Sequence, residues 1–384
     1  MASAEVIDDP VRLSSVVDAW DALAVQLSAP YASPHWLLPW WRHVAPEWAK
    51  LYVVAVIDDA GELIGLGPWY LDARRGIGPR IRPLGADLCD WVGPLAQPGQ
   101  KAIVAEQFAR VFHDLRPRVS VISLEGRPSA SSWGKDFEVT GRARSIHWRT
   151  EPALFIPLEG GTFNNWFMSK SKHFRQRMRK LRRDFEASGG TYRLADESSL
   201  DADLASFARL HRARWIERGR SNALRPGVNE MLLDAGRALV GSGRLRVWSL
   251  DIDGITVSSH VLVTAGRELG YWLTGFDEER APGSSLLGIL HVIEDSFASG
   301  AARLDLGSGR FAYKQRFADA ETDLVWEWVV PPGPQGYLLQ GYLLQTQLAP
   351  HLLRKLASER LSRETKGRIL KLMAKLPRGA GPSP

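Results

Sequence analysis

The chain is 384 residues long, 45% hydrophobic and 24% charged, a globular composition that excludes the disordered class and leaves room for two domains of ordinary size. Its single cysteine, Cys89, excludes an intrachain disulfide and a cysteine-built zinc site, and its 15 tryptophans point to large buried cores or to stacking on sugar-like rings. The formal net charge is +6, the start carries Glu5, Asp8 and Asp9 in place of a basic, apolar leader, and no run approaches the ~20 apolar residues of a membrane span, so the expected compartment is the cytoplasm.

In chain order, a helix is predicted over 13–27. Residues 51–57 form a continuous apolar strand, Asp58-Asp59-Ala60-Gly61 a turn, and 62–71 the returning strand. A helix over 102–115 and a strand over 119–124 follow. Residues 128–150 are rich in Ser, Gly and Arg and show no strong periodicity, which places a domain boundary near 150. Residues 169–183 hold eight Lys/Arg and no acid. Within a helix predicted over 164–188, Phe167, Phe174, Met178, Leu181 and Phe185 make one apolar stripe, with Arg175, Arg179 and Arg182 in a neighbouring row. These cations repel one another without an intervening acid, and an anionic substrate relieves the repulsion better than a solvated face does.

The second half repeats the order of the first. Helices are predicted over 200–218 and 229–241, a strand over 245–250, a turn at Asp251-Ile252-Asp253-Gly254, and a returning strand over 255–264. A helix over 284–299 and a strand over 303–306 complete it. The repeated succession of helix, hairpin, strand, helix and strand predicts two related α/β halves, 1–150 and 151–334. Pro331-Pro332-Gly333-Pro334 then breaks the chain, Gly-Tyr-Leu-Leu-Gln occurs at 336–340 and again at 341–345, and a basic helical tail is expected over 335–384. That tail either lies on an anionic membrane surface or caps the body with its apolar face.

Four places carry candidate chemistry. Residues 268–276 read as a buried strand that feeds Arg280-Ala281-Pro282-Gly283-Ser284-Ser285 and then an apolar helix. A glycine turn at a helix N-terminus cradles anions, because free amides point at the ligand. Equally, Ser284 is a helix N-cap behind a tight Pro-Gly turn. Tyr313-Lys314 follow a Gly-Ser-Gly loop; a lysine there stabilises a tetrahedral oxyanion and a tyrosine protonates a leaving thiolate. His260, in a strand, is either a general base facing a cleft or an interior hydrogen-bonded residue. Asp305 either orients an acceptor amine or bonds the loop at 307–309.

These segments together resemble the GNAT acyltransferase superfamily, whose phosphate loop reads Gln/Arg-x-x-Gly-x-Gly/Ala. Arg280, Gly283 and Ser285 fall on that motif, with serine in place of the last small residue. More closely, the chain resembles double-GNAT proteins of the cellulose-biosynthesis acetyltransferase-like type, relatives of the Fem-type peptidyl transferases. The resemblance is carried by Tyr31-Ala32-Ser33-Pro34-His35-Trp36, the arginine-rich stretch 169–183, residues 271–285, and Leu304-Asp305-Leu306-Gly307-Ser308-Gly309 through Tyr313-Lys314-x-x-Phe317. It implies an α/β (α+β) fold of two tandem GNAT-like domains, each a mixed, mostly antiparallel sheet flanked by helices.

The resemblance further implies N- or O-acyl transfer from acyl-CoA, most simply acetyl-CoA, to an amino-sugar or polysaccharide-precursor acceptor, without a metal. Arg280, Gly283, Ser284 and Ser285 would hold the donor pyrophosphate. Lys314, Tyr313 and His260 would serve catalysis, and Arg175, Arg179 and Asp90 the acceptor. Residues 89–101 lack a matching loop, so the first half would serve the acceptor or the fold. Two rivals stand beside this. One is a Fem-like transferase using aminoacyl-tRNA, with the basic helix on RNA phosphates. The other is an inert adaptor of a polysaccharide-synthesis complex, docking through the basic tail; the expected location is the cytoplasm, extending to the periphery of the inner membrane face.

Overall fold

A computed structural model describes residues 2–72, 79–86, 88–114, 121–131, 133–216 and 222–345. The first half runs β1 (Ser3–Ile7), α1 (Pro10–Ser14), α2 (Val17–Gln26), α3 (Pro34–His43), β2 (Ala49–Ile57), β3 (Leu63–Asp72), β4 (Arg80–Pro83), β5 (Leu95–Ala96), α4 (Lys101–Asp114), β6 (Val121–Pro128), α5 (Gly134–Val139) and β7 (Arg144–Pro157). The second runs α6 (Phe163–Ser169), α7 (Lys172–Ala187), β8 (Thr191–Leu194), α8 (Leu200–Ile216), α9 (Val228–Leu239), β9 (Leu245–Ile252), β10 (Ile255–Ala265), β11 (Glu268–Phe276), α10 (Ser284–Ala298), β12 (Arg303–Ser308), α11 (Ala312–Phe317), β13 (Ala320–Val330) and α12 (Pro334–Leu343).

Local chemistry explains most of these limits. Ser33 caps α3 by accepting from the His35 amide, and Pro34 opens the helix where no amide is needed. The Asp58 carboxylate accepts from the amides of Ala60 and Glu62, which closes the β2–β3 hairpin. The helix predicted over 164–188 is two helices. The chain leaves the helical conformation at Lys170 and Ser171, and Ser171 then caps α7 by accepting from Phe174. Residues 128–150, which lack periodicity, hold α5 and the start of the 14-residue β7. Position 150 thus lies inside a strand. The segment after 334 begins with α12, whose Leu339 and Leu343 pack with Val121, Ile146, Trp328 and Val330. Residues 351–384, with the basic part of the expected tail, lie outside the described residues.

Among the described residues, thirteen strands join one sheet, in the order β1-β2-β3-β4-β6-β13-β7-β12-β11-β10-β9-β8, with β5 beside β3. Only β4 with β6 and β11 with β12 run parallel, and α4 and α10 make the corresponding crossovers. The halves are therefore mirrored in strand order, β1–β4 and β6 answering β8–β11 and β12. They also exchange their last strands. β7, from the first half, pairs with β12, while β13, from the second, inserts between β6 and β7.

Helices cover both faces. One face carries a core shared by the halves, with Trp20, Trp36, Trp40, Phe207, Leu232 and Val261 buried together. On the other, α4 and α5 pack Trp69, Phe108, Trp133 and Phe137, and α7 and α10 pack Met178, Phe185, Leu287 and Ile293. Trp20, Trp36, Trp40, Trp69 and Trp133 are fully buried, which places much of the tryptophan excess in packing. No helix among the described residues is long and apolar enough to cross a membrane.

Candidate active site

The site is built where β11 and β12 part. They pair only from Glu268 with Arg303 to Gly270 with Asp305; beyond that, β11 continues to Phe276 and β12 to Ser308 without pairing each other. The first half fills the mouth of this wedge. Trp272 Nε1 donates to the Leu88 carbonyl at 2.8 Å and its ring meets Trp36 edge-on at 5.4 Å. Asp90 reaches the end of β12, accepting from the Ser308 amide at 2.9 Å and the Ser308 hydroxyl at 2.7 Å.

Lys314, on α11, is buried beside this contact and donates to the Ser308 carbonyl at 2.7 Å. Burial lowers its pKa, against the pull of Asp90 and Asp305. Asp305 is buried and accepts from the Gly307 amide at 2.8 Å. Burial raises its pKa, as it does that of Tyr31, whose hydroxyl lies near Asp90 and Asp305. Tyr313 is half-buried and stacks on Phe311; its pKa is raised by burial, so its hydroxyl stays protonated. Asp90, Asp305, Tyr313 and Lys314 thus meet at one place, and Tyr31 joins them.

His260 does not face this wedge. It is fully buried, with Nδ1 2.6 Å from the Tyr271 hydroxyl and Nε2 2.9 Å from the Ser258 hydroxyl. Gly288 of α10 leaves the room it needs, since a Cβ there would stand 1.8 Å from Nε2. Burial drives its pKa down to about 3, so the ring is neutral near pH 7. Of the two readings of His260, this is the geometry of the interior, hydrogen-bonded residue.

The loop before α10 is arranged differently from an open phosphate cradle. Gly283, with φ of +81°, is the residue from which the helix starts, and Ser284 is not the cap. A Cβ on Gly283 would meet Leu181 of α7 at 2.6 Å, so the glycine answers both the turn and the helix above it. Its amide donates to Glu278 Oε1 at 3.2 Å, and Asp277 Oδ1 accepts from the amides of Glu279 and Arg280. The Arg280 side chain is exposed, Ser284 is buried and Ser285 half-buried.

The expected arginine row serves the protein itself. Arg175 donates to the carbonyls of Met168 and Lys170, closing the end of α6. Arg179 lies over the Phe167 ring at 5.5 Å, and Arg182 pairs with Glu294 of α10 at 2.5 Å. The next face of α7 is the one left open. A cavity of about 390 Å³ is lined by Lys170, His173, Arg177, Leu286 and Arg316, with Phe174, Met178 and Phe317 at its apolar wall. Lys170 is engaged by Asp319 and the Phe317 carbonyl. His173, Arg177 and Arg316 have no hydrogen bond or ion pair among the described residues, and no acid lines the cavity. His173 and Arg177 are four apart and share a face, a signal already present in the arginine-rich stretch. Arg316 reaches the cavity only through the turn of α11.

Residues 172–315 match the family model for the acetyltransferase (GNAT) domain. No curated protein matches the sequence. Among solved structures, FemX superposes with a TM-score of 0.64 at 11% identity, over 86% of this chain and 98% of that one. The C-terminal domain of a putative lysylphosphatidylglycerol synthetase from Agrobacterium fabrum gives 0.55 at 11% identity, over 86% and 96%. L-PGS from Bacillus licheniformis gives 0.51 at 12% identity, over 84% and 92%. At such identities the likeness is one of fold. Residues 172–315 of the second half therefore resemble the GNAT-type acetyltransferase domain, within a two-part α/β fold similar to that of FemX.

Proposed function

We propose that the protein is an acyltransferase that draws its acyl group from a phosphate-bearing carrier, acyl-CoA first, and passes it to an amine or hydroxyl of a glycan precursor in the cytoplasm. The supporting observation is the acid-free cavity at the first turn of α10, where His173, Arg177 and Arg316 stand unpaired. Unpaired cations around a concave, partly apolar wall suit phosphates followed by an apolar arm. In the reaction, the acceptor atom bonds to the acyl carbon, the carbon–sulfur bond breaks, and the acceptor proton leaves to water. Tyr313 gives its proton to the thiolate and recovers one from solvent. Lys314 steadies the charge near Asp90 and Asp305 while holding Ser308.

An aminoacyl-tRNA donor is the second reading, favoured by Glu278. Its carboxylate occupies the Gly283 amide, with Asp277 and Glu279 beside it, where a CoA pyrophosphate would otherwise sit. Calorimetric titration with acetyl-CoA, CoA and tRNA separates the two. Replacing Arg177 and Arg316 together by Gln removes two charge-assisted contacts, so the dissociation constant of the true donor should rise by about 100-fold or more. Unchanged CoA affinity in that variant would refute the CoA placement. Binding of tRNA alone, steeply salt-dependent and lost in the same variant, would establish the second reading.

The Tyr313 role has its own test. Tyr313→Phe keeps the ring on Phe311 and removes only the proton. We expect kcat to fall about 100-fold with KM little changed. Equal turnover in both proteins would remove Tyr313 from the chemistry.

A further inference from the structure

We propose that the first half holds a separate ligand site, a pocket for a small polyhydroxylated oxyanion such as a sugar phosphate or sugar carboxylate, with Arg127 as its anion contact. The pocket, about 470 Å³, lies between the start of α4 and the edge formed by β11 and β12. It shares no lining residue with the cavity beside α10, and Asp305 of the β12 cluster stands at its far end.

Mirrored strand order makes the loop before α4 the counterpart of the loop before α10. The two are finished differently. A Cβ on Gly283 would strike Leu181, whereas one on Gly99, with φ of +82°, would meet nothing within 4 Å. The amides of Ala102 and Ile103 donate to no protein group among the described residues. The start of this 14-residue helix is thus uncovered on the side that the second half closes.

A second observation is independent of the helix. Arg127 lines the pocket, is only 8% exposed, and its Nε has no hydrogen-bond partner. Its guanidinium lies 5.6 Å over the Trp91 ring, and no acid pairs with it among the described residues. Of the other cations of the pocket, Lys101 is neutralised by Asp136, and Arg303 lies over the Phe155 ring at 3.8 Å with its Nε 3.2 Å from Glu268 Oε1. A buried cation without a counter-charge is costly, and an oxyanion arriving at the helix start offsets that cost. Charge alone does not describe the pocket. Trp91 and Trp133 supply aromatic surface, and Glu268 and Asp305 line the opposite end. Burial raises the pKa of both acids, that of Glu268 to about 8, and their carboxyl groups pair with sugar hydroxyls. Aromatic faces, carboxyls and one cation together fit a sugar bearing a single anionic group.

The test is calorimetric titration of the full chain with glucose 6-phosphate, glucuronate, glucose and inorganic phosphate. We expect one of the two sugar anions to bind at least tenfold more tightly than glucose and than phosphate alone, and which one binds identifies the oxyanion. Arg127→Met should weaken that binding at least tenfold while the ligand-free protein melts no lower than wild type, because an unpaired buried charge has gone. Amide exchange in the wild-type protein provides a check free of any variant: the ligand should slow exchange at 97–104. The proposal is overturned if neither sugar anion binds at millimolar concentration, if Arg127→Met binds it unchanged, if CoA displaces it, or if protection falls only elsewhere.

Discussion

Replacing Gly126 by alanine should cost about 3–5 kcal/mol of stability and detach the Asp90 contact from the end of β12. Gly126 sits where β6 bulges against β13, the pairing skipping from Val325–Arg127 to Glu327–Leu124. Its φ is +66°, and a Cβ there would lie 1.9 Å from the Asp90 carbonyl oxygen and 3.2 Å from the Trp91 Cα. Both obstacles are backbone, so no rotamer change relieves them. The loop that brings Asp90 to Ser308 must move or the bulge must open. Gly61→Ala separates strain from collision. Gly61 has φ of +85° with nothing within 4 Å of the added carbon, so it reports the strain alone, about 1–2 kcal/mol. Denaturant melts of both variants decide the matter. A Gly126→Ala loss no larger than that of Gly61→Ala would mean that the Asp90 loop is not held against β6 as described.

Glu268→Gln should abolish a large part of the protein's pH-dependent stability. Burial raises the Glu268 pKa to about 8, and Arg303 and Asp305 act on it in opposite directions. Arg303 Nε stands 3.2 Å from Glu268 Oε1, yet that nitrogen lacks a bond of proper geometry, which is why the cation does not outweigh burial. The sign follows from proton counts. Unfolded, Glu268 releases its proton near the ordinary value of 4.5; folded, it keeps the proton to about pH 8. Between these limits the folded state binds more protons, so stability falls as pH rises. The stabilisation is complete below the lower limit and lost above the upper one. A shift of that size corresponds to on the order of 4 kcal/mol, since each pKa unit is worth about 1.4 kcal/mol. Glutamine stays neutral throughout. Relative to wild type, the variant should gain stability from about pH 4.5 to about pH 8 and level off above that. Parallel pH–stability curves for the two proteins would show that Glu268 is ionised in the fold at neutral pH.

The sequence by itself determined the elements and their repetition. Apolar runs around Asp58–Gly61 and Asp251–Gly254, and the helices before and after each hairpin, are local signals that survive into the fold. Motif resemblance also offered Asp90, Tyr313 and Lys314 as separate candidates, and the structure sets them beside Asp305. The exchange of β7 and β13 was not legible, because pairing over such a separation leaves no periodic trace in either strand. Orientation was decided by packing alone. A strand histidine becomes a core residue because Gly288, on another element, leaves a hole for it. Arginines chosen by their row turn to Glu294, to the Phe167 ring and to the end of α6, and His173, Arg177 and Arg316 line the cavity beside them. Gly283 and Gly99 look alike as letters before a helix. Only the tertiary structure sets Leu181 over the first and open space beside the second, because what surrounds a glycine is supplied by residues distant in the chain.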